Sequence, residues 1–145
     1  MRVLIECQIK DKEVFDALKK YHSLCMYFYS ENGYISKLIF KVLNTTKETI
    51  SSRSRKKDIA EKRHIYTTLA YLGTKYNTVT IAKWTGRTDH AAVNNSRNVI
   101  VNRINFEPRF KEKFLFILNI LLKFYFYYFY DLQLMIILIL QSLNL

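Results

Sequence analysis

Apolar residues recur along most of this chain at intervals of three and four, the spacing that gathers side chains on one side of an α-helix. In "DKEVFDALKKYHSLCMYF" the series Val14, Leu18, Tyr21, Leu24 and Cys25 predicts an amphipathic helix. A turn is expected at Asn32-Gly33, and the series Ile35, Leu38, Ile39 and Val42 then predicts a second helix with one apolar face. "TTKETISSRSRKK" breaks the pattern with Ser, Thr and basic residues. It delivers the chain to a longer periodic segment from about Lys57 or Asp58, with Ile59, Tyr66, Leu69, Ala70, Gly73 and Tyr76 expected on one face.

Beyond Asn77 the pattern shortens. "TVTIAKWTG" sets Ile81 and Trp84 at helical spacing, Asn77 or Thr78 can cap its start, and Gly86 stands where a helix ends in a left-handed residue. Another helix is expected to open at about Thr88, with Asp89 in its first turn, where a carboxylate suits the helix dipole. Two helices separated by a few residues with a glycine between them form a helix-turn-helix candidate.

The second of these helices is unusual in composition. "GRTDHAAVNNSR" places asparagines where a soluble helix ordinarily carries Glu and Lys, although the Asn side chain competes for the backbone and disfavours helix. At 100° per residue, His90, Ala91, Asn94, Asn95 and Asn98 fall within a sector of about 140°. Val93, Ser96, Ile100 and Ile104 fall in another sector and can pack inward. A face of His, Ala and Asn suits base edges, because Asn pairs with adenine N6 and N7 and a small methyl meets the thymine methyl. A plain solvated surface would carry the same residues, so the wheel leaves both readings open.

Composition narrows the fold and the partners. Three glycines and the single proline, Pro108, leave little material for the tight turns of a β-protein, and an all-α fold follows. A formal charge of +11, from 23 Lys and Arg against 12 Asp and Glu, points to polyanions, whether nucleic acid or an anionic membrane. Cys7 and Cys25 form no Cys-x-x-Cys pair, and His22, His64 and His90 have no Ser, Cys or acidic partner at a recognisable motif spacing. No catalytic residue, metal site, cofactor or small-molecule substrate is therefore expected. "MRVLIECQIKDKEV" meets charges too early for a signal-peptide core, and the expected location is the cytoplasm.

On these residues the chain resembles a family, the C-terminal DNA-binding domain of the bacterial replication initiator DnaA. "GRTDHAAV" is similar to the family's Gly-Gly-Arg-Asp-His-Thr-Thr-Val run, keeping Gly86, Asp89, His90 and Val93. "SRSRKKDIAEKRHIYTTLAYL" resembles its basic loop and long helix, "FKVLNTTKETISSRSR" its entry, and "INFEPRFKEKFLFILNILL" its closing helix, so the likeness spans roughly residues 34–122. The resemblance implies a tryptophan-repressor-like helix-turn-helix bundle that binds double-stranded DNA at a DnaA box. Carried over by position, Arg55 would enter the minor groove and Arg63 would be the DNA-contacting arginine of the long helix, while Lys56, Lys57 and Arg63 are expected to supply affinity through phosphates. Asp89, His90 and Ala91 would sit at the base-reading start of the recognition helix, with Asn94 and Asn95 following on the face read from the wheel.

There are departures as well. The family's threonines are Ala91 and Ala92, which keep a methyl and lose a hydroxyl. Its second glycine and arginine are Arg87 and Thr88, so the loop's positive charge moves one residue toward the N-terminus, and Arg97 stands one position before the family's helix arginine. No G-x-x-x-x-G-K-[ST] nucleotide motif occurs.

The expected organisation is an N-terminal helical extension (1–33), a DnaA-like domain (34–122) and an apolar tail (123–145) continuing as an extra helix. "FLFILNILLKFYFYYFYDLQLMIILILQSLNL" has strictly apolar runs of at most seven residues, interrupted by Asn119, Lys123, Asp131 and Gln133. This falls short of the 18 or more apolar residues that mark a membrane span. The tail can pack on the N-terminal helix, associate with a second copy or touch a membrane, the last being disfavoured. The functional reading is sequence-specific duplex DNA binding in replication initiation or its regulation, without ATPase or other enzymatic activity. A helix-turn-helix transcriptional regulator of a phage or mobile element is the first alternative, and a small basic membrane-associated protein the second.

Overall fold

The computed structural model describes residues 8–25 and 33–143. The expected Asn32 half of the turn, Cys7 and the last two residues of the tail lie outside this range. Among the described residues all regular structure is helical: α1 Lys12–Cys25, α2 Tyr34–Val42, α3 Lys47–Ser51, α4 Lys57–Gly73, α5 Thr78–Trp84, α6 His90–Phe106 and α7 Pro108–Ser142.

Helix α4 is the axis of the bundle. It packs against α1, α2, α3, α5 and α6, while α7 covers α1, α2 and α6 from the other side. Sequence periodicity gave α4 a single apolar face, yet Arg63, Ile65, Tyr66, Thr67, Thr68, Leu69, Ala70, Leu72 and Gly73 are all buried. From Ile65 onward the helix is enclosed by neighbours and keeps little solvent face to carry polar residues, and its small Thr and Ala side chains let those neighbours approach. Two expected members of the face differ. Ile59 is only half-buried, and Tyr76 lies past the helix end, exposed, with its ring edge-on to Trp84 at 5.4 Å.

Helix α1 shares this core. Val14, Ala17, Leu18, Tyr21 and Cys25 are buried on it, and burial pushes the Cys25 thiol up to about 12. Two polar side chains bind it to α4: Tyr21 Oη donates to Leu69 O at 2.9 Å, and His22 Nδ1 donates to Leu72 O at 2.6 Å. A single continuous cluster of buried side chains runs from Ile9 and Val14 through Ile65 and Leu69 to Phe114, Leu118 and Tyr125. Residues 12–25 thus contribute to the same core as the helix-turn-helix.

Helix α7 begins with Pro108, whose fixed φ and missing N–H suit the first helical turn. Phe110, Phe114, Ile117, Leu118, Leu121 and Tyr125 bury one face against the bundle, and the helix then continues without a break to Ser142. The apolar tail is therefore the outward continuation of the closing helix. Leu134 to Leu140 are exposed at every position around it. Of the helices described, this one is long and apolar enough to cross a membrane by length and composition.

Candidate nucleic-acid interface

The helix-turn-helix is formed by α5, a tight turn and α6. Asn77 caps α5, its Oδ1 accepting from Thr80 N at 2.8 Å, and Ile81, Ala82 and Trp84 anchor that helix in the core. Gly86 ends it with φ +70, and a Cβ at this position would lie 2.5 Å from the carbonyl oxygen of Ser51. The glycine is thus required twice, by a left-handed backbone and by the close passage of the preceding loop.

The recognition helix starts later than expected. Asp89 is its N-cap rather than a member of its first turn, with Oδ1 accepting from Ala91 N at 3.1 Å, and His90 is the first helical residue. Thr88 precedes the helix. The reason is the cap itself: an Asp in extended conformation satisfies a first-turn N–H that a helix begun at Thr88 would have left to solvent. Asp89 Oδ1 also lies 2.9 Å from His90 Nδ1, with both side chains largely exposed.

Along α6 the wheel and the burial agree. His90, Ala91, Asn94, Asn95 and Asn98 are exposed, while Val93, Ser96, Ile100 and Ile104 face the core. Arg97 is partly covered: its guanidinium lies 4.1 Å from the ring centroid of Tyr71 on α4, and Nη1 donates to Asn94 Oδ1 at 3.1 Å.

Against the turn that precedes α6 lies the basic loop 52–56, between α3 and α4. Helix α3 was not foreseen; the Thr46 hydroxyl caps it by accepting from Thr49 N at 3.2 Å, and Ile50 anchors it. Arg55, Lys56 and Lys57 are exposed at the loop's end, and so is Arg53, which sequence reasoning passed over although it stands in the same "SSRSRKK" run. Arg53, Ser54, Arg55, Ala60, Arg63, Gly86 and Arg87 together line a cleft of about 410 Å³ between the loop and the turn.

Arg63 and Arg87 are placed differently from the exposed cations. Arg63 is buried, and it donates from Nε to Ile50 O at 2.8 Å and from Nη2 to Ser52 O at 3.0 Å and Ser54 O at 3.2 Å. Arg87, half-buried, donates from Nη1 to Thr85 O at 2.7 Å and to Ser52 O at 3.1 Å. Burial and the nearby Arg87 charge both pull the Arg63 pKa downward. These donors meet carbonyls that the end of α3, the loop after it and the turn before α6 leave without helical partners.

The fold also gives His64 the partner its sequence neighbourhood lacked, since His64 Nδ1 is hydrogen-bonded to Ser96 Oγ at 2.8 Å across the α4–α6 contact. Desolvation, followed by the charges of Arg63, Arg103 and Arg87, lowers its pKa. Ser96 is buried, so the pair braces the recognition helix and presents no exposed nucleophile.

Comparison with known proteins covers part of this fold. Residues 33–100 match the family model of the bacterial dnaA protein helix-turn-helix, a range that runs from Gly33, before α2, to Ile100 within α6 and leaves out α1 and α7. Nothing among the curated proteins or the solved structures matches. The matched domain type is a DNA-binding, non-catalytic one. With an N-capped helix exposing His, Ala and Asn, a glycine turn and an arginine-held basic loop in family order, residues 33–100 form a DnaA C-terminal-domain-like helix-turn-helix region.

Proposed function

We propose that this protein binds duplex DNA sequence-specifically at DnaA-box-like sites and acts in replication initiation or its regulation. One observation carries the reading: the exposed His90, Ala91, Asn94 and Asn95 face of α6 lies on the same domain as an exposed run of cations at Arg53, Arg55, Lys56 and Lys57. Side chains at the start of a helix-turn-helix recognition helix reach base edges, and a basic arm beside it supplies phosphate and minor-groove contacts. In this reading Arg55 enters the minor groove, Lys56 and Lys57 neutralise phosphates, and Asp89, His90 and Ala91 lead α6 into the major groove with Thr88 at its edge. Arg63 and Arg87 act through the loop they hold.

The 145 residues contain no G-x-x-x-x-G-K-[ST] motif, and the proposed binding involves no ATP. The same reading places the protein in the cytoplasm, on the nucleoid. Lys123 and Asp131 interrupt the apolar part of α7, and a charged residue near the bilayer centre costs roughly 2.5–3.5 kcal/mol on insertion scales.

The test is selection of bound sequences from a random duplex pool with the full chain, followed by footprinting on the selected site. Enrichment of a DnaA-box-like sequence supports the proposal. Salt-sensitive retention of all duplexes with no enriched sequence would reduce it to non-specific polyanion binding.

A further inference from the structure

Asn94 stands one turn into α6 on the exposed line that also carries His90 and Asn98. It is held there. Arg97 Nη1 donates to its Oδ1 at 3.1 Å, and Arg97 is itself stacked on the Tyr71 ring, 4.1 Å from centroid to guanidinium carbon. A guanidinium carries donors and no acceptor, so only the oxygen end of the Asn94 amide can face it. The reversed amide would set N–H against N–H.

We propose that Tyr71 and Arg97 fix the order in which Asn94 presents donor and acceptor, and so determine which base edge α6 reads one turn into the groove. This rests on the DNA-binding reading above. An unconstrained Asn can rotate its amide and offer either order, whereas the adenine edge requires oxygen toward N6 and nitrogen toward N7. With one order imposed in the free protein, the ordering entropy is not charged to binding and the mismatched edge meets a donor where it has a donor. Arg97 and Tyr71 are positioning residues, and neither needs to touch a base.

Lysine at position 97 keeps the charge but lacks the planar fork that both stacks and bonds. The experiment is random-pool selection with the full chain for the wild type, Asn94→Ala, Arg97→Lys, Tyr71→Leu, Tyr71→Phe and the double variant Asn94→Ala/Arg97→Lys. Salt slopes are measured alongside, as are the Asn94 side-chain amide signals of the free proteins by NMR. Asn94→Ala should lose preference at one base pair. Arg97→Lys and Tyr71→Leu should relax the same position about tenfold with unchanged salt slopes, and Tyr71→Phe, which keeps the ring, should match the wild type. The double variant should be no more relaxed than Asn94→Ala, and the Asn94 amide signals should move in Arg97→Lys and Tyr71→Leu without DNA.

An Arg97→Lys variant that weakens all sequences equally makes Arg97 a phosphate contact and overturns the inference. So does relaxation at a position that Asn94→Ala does not touch, or an Asn94 amide indifferent to both neighbours. A wild-type chain that selects no sequence overturns the DNA reading and this inference together, whereas wild-type selection with a position indifferent to Asn94→Ala overturns the inference alone.

Discussion

Arg63 and Arg87 converge on one atom, the carbonyl oxygen of Ser52, which accepts from Arg63 Nη2 at 3.0 Å and from Arg87 Nη1 at 3.1 Å. One arginine comes from the long helix and the other from the turn of the helix-turn-helix, so the loop is tied to both elements at a single point. Arg63→Ala removes the donors to Ile50, Ser52 and Ser54 and should destabilise the protein by about 2–4 kcal/mol, because hydrogen bonds to charged groups are among the costly ones to lose. Urea denaturation measures this. At concentrations where the variant remains folded, the proposed role of Arg63 through its loop expects affinity to drop with the salt slope near the wild-type value; a slope lowered by about one unit would make Arg63 a phosphate contact.

Gly86→Ala should cost about 2 kcal/mol or more. The backbone there is left-handed, and the new Cβ would sit against the Ser51 carbonyl at 2.5 Å. Thermal unfolding reads the loss, and a variant as stable as the wild type would mean that the loop does not pass so close.

Arg55→Ala should weaken binding to a site with an A·T-rich flank more than to one with a G·C-rich flank, because an arginine in a narrow minor groove reads shape and potential. Titrations of two duplexes differing only in the flank decide this; equal losses would make Arg55 a phosphate contact.

Ala91→Thr restores the family's residue at an exposed position in the first turn of α6. Affinity for a DnaA-box-like duplex should rise by up to about 1 kcal/mol, the order of one neutral hydrogen bond, with little change on scrambled DNA or in stability. The ratio of the two affinities at one fixed salt concentration is the measurement.

The pH dependence of stability should carry a His64 contribution. Its folded pKa is lowered, so below the ordinary value of 6.5 the unfolded chain binds the proton more readily than the folded one. Stability attributable to His64 is therefore complete above about pH 6.5 and is lost as pH falls from there through the folded pKa. The difference between wild type and His64→Gln in urea midpoints at pH 7.5 and 5.5 isolates it. If both variants lose the same stability between these pH values, His64 is not the titrating group.

Periodicity and composition were sufficient for the longer helices, because a helix on the surface of a bundle must alternate apolar and polar sides, and α1, α2 and α6 bear that imprint directly in their spacing; the single turn and a half of α3 is too short to show a period. The glycine turn and the exposed face of α6 were legible for the same reason: Gly86 answers a local backbone requirement, and the wheel of one helix depends on no other element. The start of α6 was not, since whether Asp89 caps or joins the helix depends on backbone geometry that neighbouring residue types leave undecided. Tertiary packing alone decided that the second half of α4 is enclosed, that residues 12–25 share its core, and that α7 runs on past the bundle. It also decided the fate of Arg63. Its sequence neighbourhood shows only a basic stretch, and it is the approach of Ile50, Ser52 and Ser54 to α4 that sets three carbonyls within reach of its guanidinium, a proximity that residues so far apart along the chain do not reveal.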